Sequence, residues 1–349
     1  MRVLQVGMAG FGPAGHTFNA PIISSTKGFR LSKILTSNPA NIAVANERFA
    51  DAKVVSDYQS LIHDREIDLV VITAPNHRHF TLAKQALQAG KHVIVEKPFT
   101  TTSEEATELI ELARLHNRII SVNHNRRWDS DFRTLKKLLL ERQDIGKIVE
   151  YHAHFDRFRN YIKPGWKEEK EVPGSGVLYD LGSHLIDQAL ILFGNPTEIF
   201  AHLRQQRADS EVIDNFELLL LYPELKVRLT AGMLVAKPGP RYTVLGRNGS
   251  FLKYGIDVQE EALKQGKSPL DTDSWGIEPE ELWGELHLEK GMEKVKSEPG
   301  DYREFYKNIY ACIVHDQSLE VSPVQARTVI EIIEAAIKSH QEKRIVSFP

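Results

Sequence analysis

The chain opens with a short apolar run, Val3–Val6, and reaches Gly10-Phe11-Gly12-Pro13-Ala14-Gly15 a few residues later. No other feature narrows the fold as much. Glycines at Gly10, Gly12 and Gly15 let the backbone turn sharply, approach a pyrophosphate and pack a helix closely on a strand, while the N–H groups at a helix start favour an anion. The alternative is a glycine turn with a purely structural role. Context favours the dinucleotide reading, because a second apolar run at Leu31–Leu35 completes a β-α-β unit of the expected size.

Further apolar runs at Leu69–Ile72, His92–Val95 and Ile119–Val122 alternate with amphipathic stretches. Such alternation predicts a parallel sheet covered on both faces. The spacing predicts a helix over Thr81–Ala89 stopped by Gly90, and another capped at Thr102 or Ser103 ahead of Glu104 and Glu105. Beyond Asn123, strand-like runs at Ile148–Phe158, Phe216–Tyr222 and Val227–Met233 lack regular helices between them, which predicts mostly antiparallel sheet. The polar, turn-rich stretch Glu260–Gly300 reads as a surface excursion. Two amphipathic helices, Tyr302–His315 and Pro323–Gln341, end the chain. The expected division is residues 1–122 for dinucleotide binding and 123–349 for substrate binding and oligomerisation.

Composition sharpens the class. A formal charge of −3 over 349 residues argues against a nucleic-acid binder. The single cysteine, Cys312, excludes a disulfide framework within the chain and a multi-cysteine metal site. With no membrane-length apolar run and no evident leader, the expectation is a soluble, cytoplasmic protein.

The end of the second strand selects the nucleotide. NAD sites usually place a carboxylate about twenty residues beyond the glycines, where it accepts from the ribose 2′-OH. Here no acid occurs from His16 to Asn46, and the strand ends Leu35-Thr36-Ser37-Asn38-Pro39. Thr36, Ser37 and Asn38 can donate to a 2′-phosphate, with Lys33 and Arg48 as nearby cations. The expected coenzyme is NADP(H), with NAD(H) the alternative.

Strands that follow end in Thr73-Ala74-Pro75-Asn76-His77-Arg78-His79 and in Glu96-Lys97-Pro98. Open parallel sheets bind ligands at such ends. A lysine after a buried strand is unusual unless it is paired or has a lowered pKa; a solvated Glu-Lys pair is the plain alternative. These motifs, with Ala89-Gly90-Lys91-His92-Val93, Asn125-Arg126-Arg127-Trp128, Gly176–Ala189 and Trp275-Gly276-Ile277-Glu278-Pro279, resemble the Gfo/Idh/MocA oxidoreductases over essentially the whole chain. Within that family the chain looks most like the NADP-dependent scyllo-inositol dehydrogenase subgroup.

The resemblance implies an α/β protein, with an N-terminal Rossmann doubly wound parallel sheet. A C-terminal α/β domain would follow, with a large, mostly antiparallel, open-faced sheet and assembly as a homodimer or homotetramer. It implies catalytic roles for Lys97, Asp180 and His184. Coenzyme contacts would come from Gly10, Phe11, Gly12, Gly15, Thr36, Ser37, Asn38, Ala74, Pro75, Asn76, His79, Glu96, Lys97 and Asn125. Arg126, Arg127 and Trp128 would lie near the substrate. This chain departs from relatives at Asn38, where an Arg often stands, and at Asn19, which replaces the His of a Phe-His-Ala-Pro run.

Elementary chemistry supports the catalytic set. Oxidising a secondary alcohol requires a base for the hydroxyl proton, because the nicotinamide accepts only hydride. His184 suits that task, since an unperturbed imidazole titrates near pH 6.5, about the working range. Asp180 lies four residues earlier, near a helix start expected around Gly182, so the pair would share a face and Asp180 would bind substrate hydroxyls or orient the histidine. Either His184 or Lys97 can be the immediate base. His152 and His154 share a strand face but lack further ligands for zinc. Lys167-Glu168-Glu169-Lys170-Glu171 reads as a solvated loop, or as a cover bringing Trp166 onto a sugar ring. Two function classes remain: an NADP(H)-dependent oxidoreductase of a polyol or sugar, with scyllo-inositol and its keto form leading, or a catalytically silent nucleotide or sugar sensor.

Overall fold

The computed structural model describes residues 2–349. Contacts divide the chain into two compact units. The first holds 1–125, 259–275 and 301–327; the second holds 126–258, 276–300 and 328–349. The helix Arg303–His315 and the segment 259–275 thus belong with the N-terminal residues, whereas the sequence division assigns all of 123–349 to one domain.

Six parallel strands form the first unit's sheet: β1 (Leu4–Ala9), β2 (Phe29–Leu35), β3 (Lys53–Val55), β4 (Leu69–Ile72), β5 (His92–Glu96) and β6 (Ile120–Asn123), in the order β3-β2-β1-β4-β5-β6. The order reverses beside β1, which makes the carboxyl ends of β1 and β4 the switch point where ligands bind in such sheets. β4 is buried at every residue, as a strand covered on both faces must be. The short edge strand β3 carried no sequence signal. Thr102 caps the helix Ser103–Leu115 in a reciprocal box, its hydroxyl accepting from Glu105 N–H while the Glu105 carboxylate accepts from Thr102 N–H.

The second unit is built on a nine-stranded sheet of β7 (Ile148–His154), β8 (Glu198–Arg204), β9 (Asn215–Leu221), β10 (Lys226–Gly232), β11 (Tyr242–Gly246), β12 (Gly249–Lys253), β13 (Gly284–Leu288), β14 (Gly291–Val295) and β15 (Val346–Ser347). Its order is β14-β13-β12-β11-β7-β10-β9-β8-β15, antiparallel except where β7 meets β10. β9 alternates buried and half-buried residues, so one face is apolar.

The expected surface excursion Glu260–Gly300 is corrected here. It contains the end of the helix Val258–Lys264 and the β13–β14 hairpin, which extends the sheet. β14 is exposed at four of its five residues, so this edge strand offers no hydrophobic pattern to read. Among the described residues no helix is long and apolar enough to cross a membrane.

Candidate active site

In the first unit the glycine motif joins β1 to a π-helical turn, Ala14–Asn19, that continues into the helix Ala20–Ser24. Gly10 has φ +100°, and a Cβ there would stand 2.9 Å from Ala74 N. Gly15 is equally confined, with Thr73 Oγ1 2.9 Å from a Cβ position, and that hydroxyl donates to Gly10 O at 2.7 Å. Nothing lies within 4 Å of a Cβ on Gly12. Two closed glycines and one open one fit a dinucleotide pyrophosphate approaching the backbone at Gly12. Phe11 is buried against Phe49, so its backbone is what it can offer. Accordingly, Gly10→Ala should cost about 1–3 kcal/mol of stability through strain. Gly12→Ala should leave the melting temperature unchanged while weakening dinucleotide binding roughly tenfold or more, measured by calorimetric titration.

At the end of β2, Thr36 is buried while Ser37 and Asn38 are exposed. Asn38 caps the helix Pro39–Arg48, its Oδ1 accepting from the N–H groups of Ala40 and Asn41, so its amide hydrogens are what it can offer a ligand. The two expected cations each have a partner within the protein. Lys33 is ion-paired with Asp64, and Arg48 donates to Gly266 O at 3.3 Å and stacks on Phe49. Donors for a 2′-phosphate would thus come from 36–38, while the exposed Arg48, bonded through one nitrogen to a backbone carbonyl, keeps its charge and other donors for a ligand.

Ala74, Pro75 and Asn76 lie on the turn after β4, as expected for that strand end. His79 does not act as a ribose contact: it is fully buried, its Nδ1 2.9 Å from Pro98 O and its Nε2 2.9 Å from Ala74 O. Burial lowers its pKa, and the ring ties the β4 turn to the Glu96-Lys97-Pro98 turn.

Glu96 ends β5 in a buried network. Asn19 Nδ2 and Asn123 Nδ2 each donate to its Oε1 at 2.7 Å, Lys97 N–H donates to its Oε2 at 3.2 Å, and Tyr306 O–H donates to Asn19 Oδ1 at 2.6 Å. Burial raises the Glu96 carboxyl above its usual range against the opposing pull of Asn19, Asn123 and the Lys97 charge. Lys97 itself is half-buried and precedes a cis peptide to Pro98. Asn125 opens the turn Asn125–Trp128 just after β6. Asn123 and Tyr306 escaped the sequence reading because only the fold brings residues 19, 96, 123 and 306 together; the Asn at position 19 was the one visible signal.

In the second unit Asp180 and His184 share one helix, which begins at Leu178 rather than near Gly182. Leu178–Gly182 winds as a π turn and runs into the α-helix Ser183–Phe193. Asp180 is half-buried and accepts from Lys167 Nζ at 2.6 Å. His184 is buried beside Phe155, ring centroids 6.3 Å apart. Phe155 also receives the guanidinium groups of Arg126 at 4.7 Å and Arg241 at 4.4 Å.

The nominated substrate residues Arg126, Arg127 and Trp128 are corrected on burial and pairing. Arg126 is paired with fully buried Asp129 at 3.0 Å. Arg127 grips buried Asp187 through two bonds, Nε at 2.8 Å and Nη2 at 2.6 Å. Trp128 is 6% exposed. Arg127 thereby ties this turn to the helix Ser183–Phe193, which Gln188 also ties to Arg126 O and to the Tyr242 hydroxyl. Trp166 is half-buried on a short 3-10 turn, and its neighbours Lys167 and Glu168 are ion-paired rather than freely solvated.

Family models described as "Oxidoreductase family, NAD-binding Rossmann fold" and "Oxidoreductase family, C-terminal alpha/beta domain" match residues 4–124 and 137–348. The chain belongs to the Gfo/Idh/MocA oxidoreductase family. It is therefore an enzyme of oxidoreductase class with a nicotinamide-dinucleotide Rossmann domain. Among Gfo/Idh/MocA relatives, the scyllo-inositol 2-dehydrogenase (NADP(+)) IolW of Bacillus subtilis is 40% identical, covering 98% of this chain and 95% of its own. The uncharacterized oxidoreductase YdgJ of Escherichia coli is 42% identical over 97% of each chain. The solved structure of yvaA from Bacillus subtilis has a TM-score of 0.95 at 38% identity, covering 100% of this chain and 99% of that one.

Proposed function

We propose that this enzyme interconverts a secondary alcohol and a ketone on a ring polyol with NADP(H), scyllo-inositol and its keto form being the leading pair. The observation that carries the reading is the joint presence of an acid and a histidine on the one helix Leu178–Phe193 with a lysine at the end of β5. A sensor that binds without turnover has no use for that set. IolW, 40% identical over nearly the whole of both chains, is named for scyllo-inositol and NADP(+), and that supports the substrate and coenzyme choice.

When bound, the nicotinamide supplies the hydride acceptor or donor. Gly10, Gly12, Gly15, Thr36, Ser37, Asn38, Ala74, Pro75, Asn76 and Asn125, with the Phe11 backbone, would hold the dinucleotide. His184 takes the hydroxyl proton during oxidation and returns it during reduction. Asp180 accepts hydrogen bonds from substrate hydroxyls. Lys97 donates to the reacting oxygen and stabilises its developing charge. Glu96 acts from within, accepting from Lys97 N–H. Trp166 presents an aromatic face to a sugar ring.

The test is coenzyme-linked turnover of inositols, hexoses and their keto derivatives, run in each direction with either coenzyme. The expected result is activity on scyllo-inositol, with kcat/KM for NADP+ about tenfold or more above that for NAD+, as one or two charge-assisted hydrogen bonds to a 2′-phosphate would give. A preference for NAD+ contradicts the coenzyme reading. Coenzyme binding without turnover of any member would revive the sensor reading.

A further inference from the structure

The segment 159–176 of the second unit, whose run Lys167–Glu171 reads from sequence as a solvated loop, is held by a buried cation. Tyr161, Lys163, Pro164, Gly165 and Lys167 are all exposed, and the segment's apolar Ile162, Trp166 and Val172 are only half-buried. Arg207, only 5% exposed, holds it. It donates through Nη1 to Tyr161 O at 2.8 Å, through Nη2 to Glu168 Oε2 at 2.7 Å and through Nε to Asp214 Oδ2 at 2.8 Å. Asp214 is fully buried and also accepts from the backbone N–H groups of Gln206 and Arg207. Burial would raise its carboxyl, but these donors hold it below the usual range. The clamp therefore stays charged.

The far end of the loop is fixed as tightly. Gly176 N–H donates to Lys167 O at 2.9 Å. Gly176 has φ +81°, and a Cβ there would stand 2.7 Å from Ile213 O, so only glycine fits. Asp180 N–H in turn donates to Gly176 O, coupling this turn to the helix that carries Asp180 and His184. Between clamp and glycine, Lys167 Nζ lies 2.6 Å from Asp180 Oδ1 and 5.6 Å from the Trp166 ring.

An ion pair with one partner 52% exposed adds only about 0–1 kcal/mol to stability. A buried arginine between two carboxylates is not a device for stability either, since apolar replacements often do as well. What this arrangement does is hold one ammonium at one carboxylate oxygen. We propose that Lys167 is a positioning residue for the reaction, holding Asp180 in the orientation that receives a substrate hydroxyl, and that Arg207, Asp214 and Glu168 form the clamp that sets it. The proposal rests on the reading of Asp180 as a substrate-binding residue.

The experiment compares Lys167→Met, Lys167→Arg and Glu168→Gln with the parent enzyme. Lys167 is exposed enough for either replacement to fold. Lys167→Met is expected to lower kcat/KM for the polyol about 10–100-fold, the scale of a small misplacement of a contacting group. Coenzyme Kd and melting temperature should hold, Lys167→Arg should recover most of the loss, and Glu168→Gln should fall between. Turnover within about twofold of the parent in Lys167→Met, or no recovery in Lys167→Arg, overturns the proposal. A readout independent of turnover is the carboxyl resonance of Asp180 in protein labelled with carbon-13 aspartate, assigned through Asp180→Asn. It should shift in Lys167→Met, and an unmoved resonance overturns the contact. If it shifts while the parent enzyme turns over no polyol with either coenzyme, the contact stands and the proposed function falls.

Discussion

Replacing His184 or Lys97 by alanine is expected to lower kcat by about 10²–10⁴-fold, the range general acid–base groups contribute, with dinucleotide affinity largely retained. His184 is buried beside Phe155 in the second unit, while the glycine motif and the ends of β2 and β4 that would hold the coenzyme lie in the first. Loss of the imidazole should therefore leave the coenzyme Kd unchanged. Lys97 has a second role that must be separated from the first. Its ammonium is the cation acting on the buried Glu96 carboxyl, so Lys97→Ala should also lower the melting temperature. Lys97→Arg keeps the charge beside Glu96 but differs in reach and geometry. It is expected to recover stability without recovering kcat. Steady-state kinetics with calorimetric coenzyme binding on the three variants decides the matter, and near-normal turnover in His184→Ala or Lys97→Ala removes that residue from the mechanism.

Arg127→Ala is expected to destabilise the protein by about 3–5 kcal/mol, because it takes a cation and two hydrogen bonds from a buried carboxylate. Asp187 is 2% exposed and accepts two hydrogen bonds from Arg127, the side chains being 8% and 3% exposed. The sequence reading of Arg127 as a substrate ligand makes the opposite forecast, a raised KM in a protein of unchanged stability. Urea unfolding beside polyol kinetics separates the two. Asp187→Ala should destabilise by a comparable amount, although Asp187 was never nominated for substrate contact. If Arg127→Ala unfolds at the parent's urea midpoint and only KM rises, the ion pair is not what this arginine is for.

Much of the first unit was legible in sequence, because its signals are local. Buried strands such as β4 read as unbroken apolar runs, and the glycines, the Thr102 cap and the Gly90 stop each act within a few residues. Of the second unit's inner strands, β7, β9 and β10 were legible through their apolar residues, whereas β8, β11 and β12 were not read as strands. The edge strands β3 and β14 were not legible, since they are exposed or half-buried along most of their length and carry no apolar alternation, and the inner strand β13 was missed although its residues alternate in burial. The motif positions of Lys97, Asp180 and His184 were visible, but their partners were not. Nothing in a linear reading connects Tyr306 to Asn19, Arg207 to Glu168 or Arg127 to Asp187. Motif resemblance also cannot say whether a polar side chain faces a ligand or the protein, and that distinction moved His79, Arg126 and Arg127 from contact residues to internal struts.

The central claim is hydride transfer between a ring polyol and the bound nicotinamide. It is tested most directly with scyllo-inositol carrying deuterium on its ring carbons, NADP+ and the parent enzyme, following the label by proton NMR of the reduced coenzyme. The account predicts deuterium delivered to one face of the nicotinamide ring, with a primary isotope effect on single-turnover reduction, and the same transfer about 10²–10⁴-fold slower in His184→Ala. Reduced coenzyme without label, or no reduced coenzyme from scyllo-inositol or any other polyol, would contradict it.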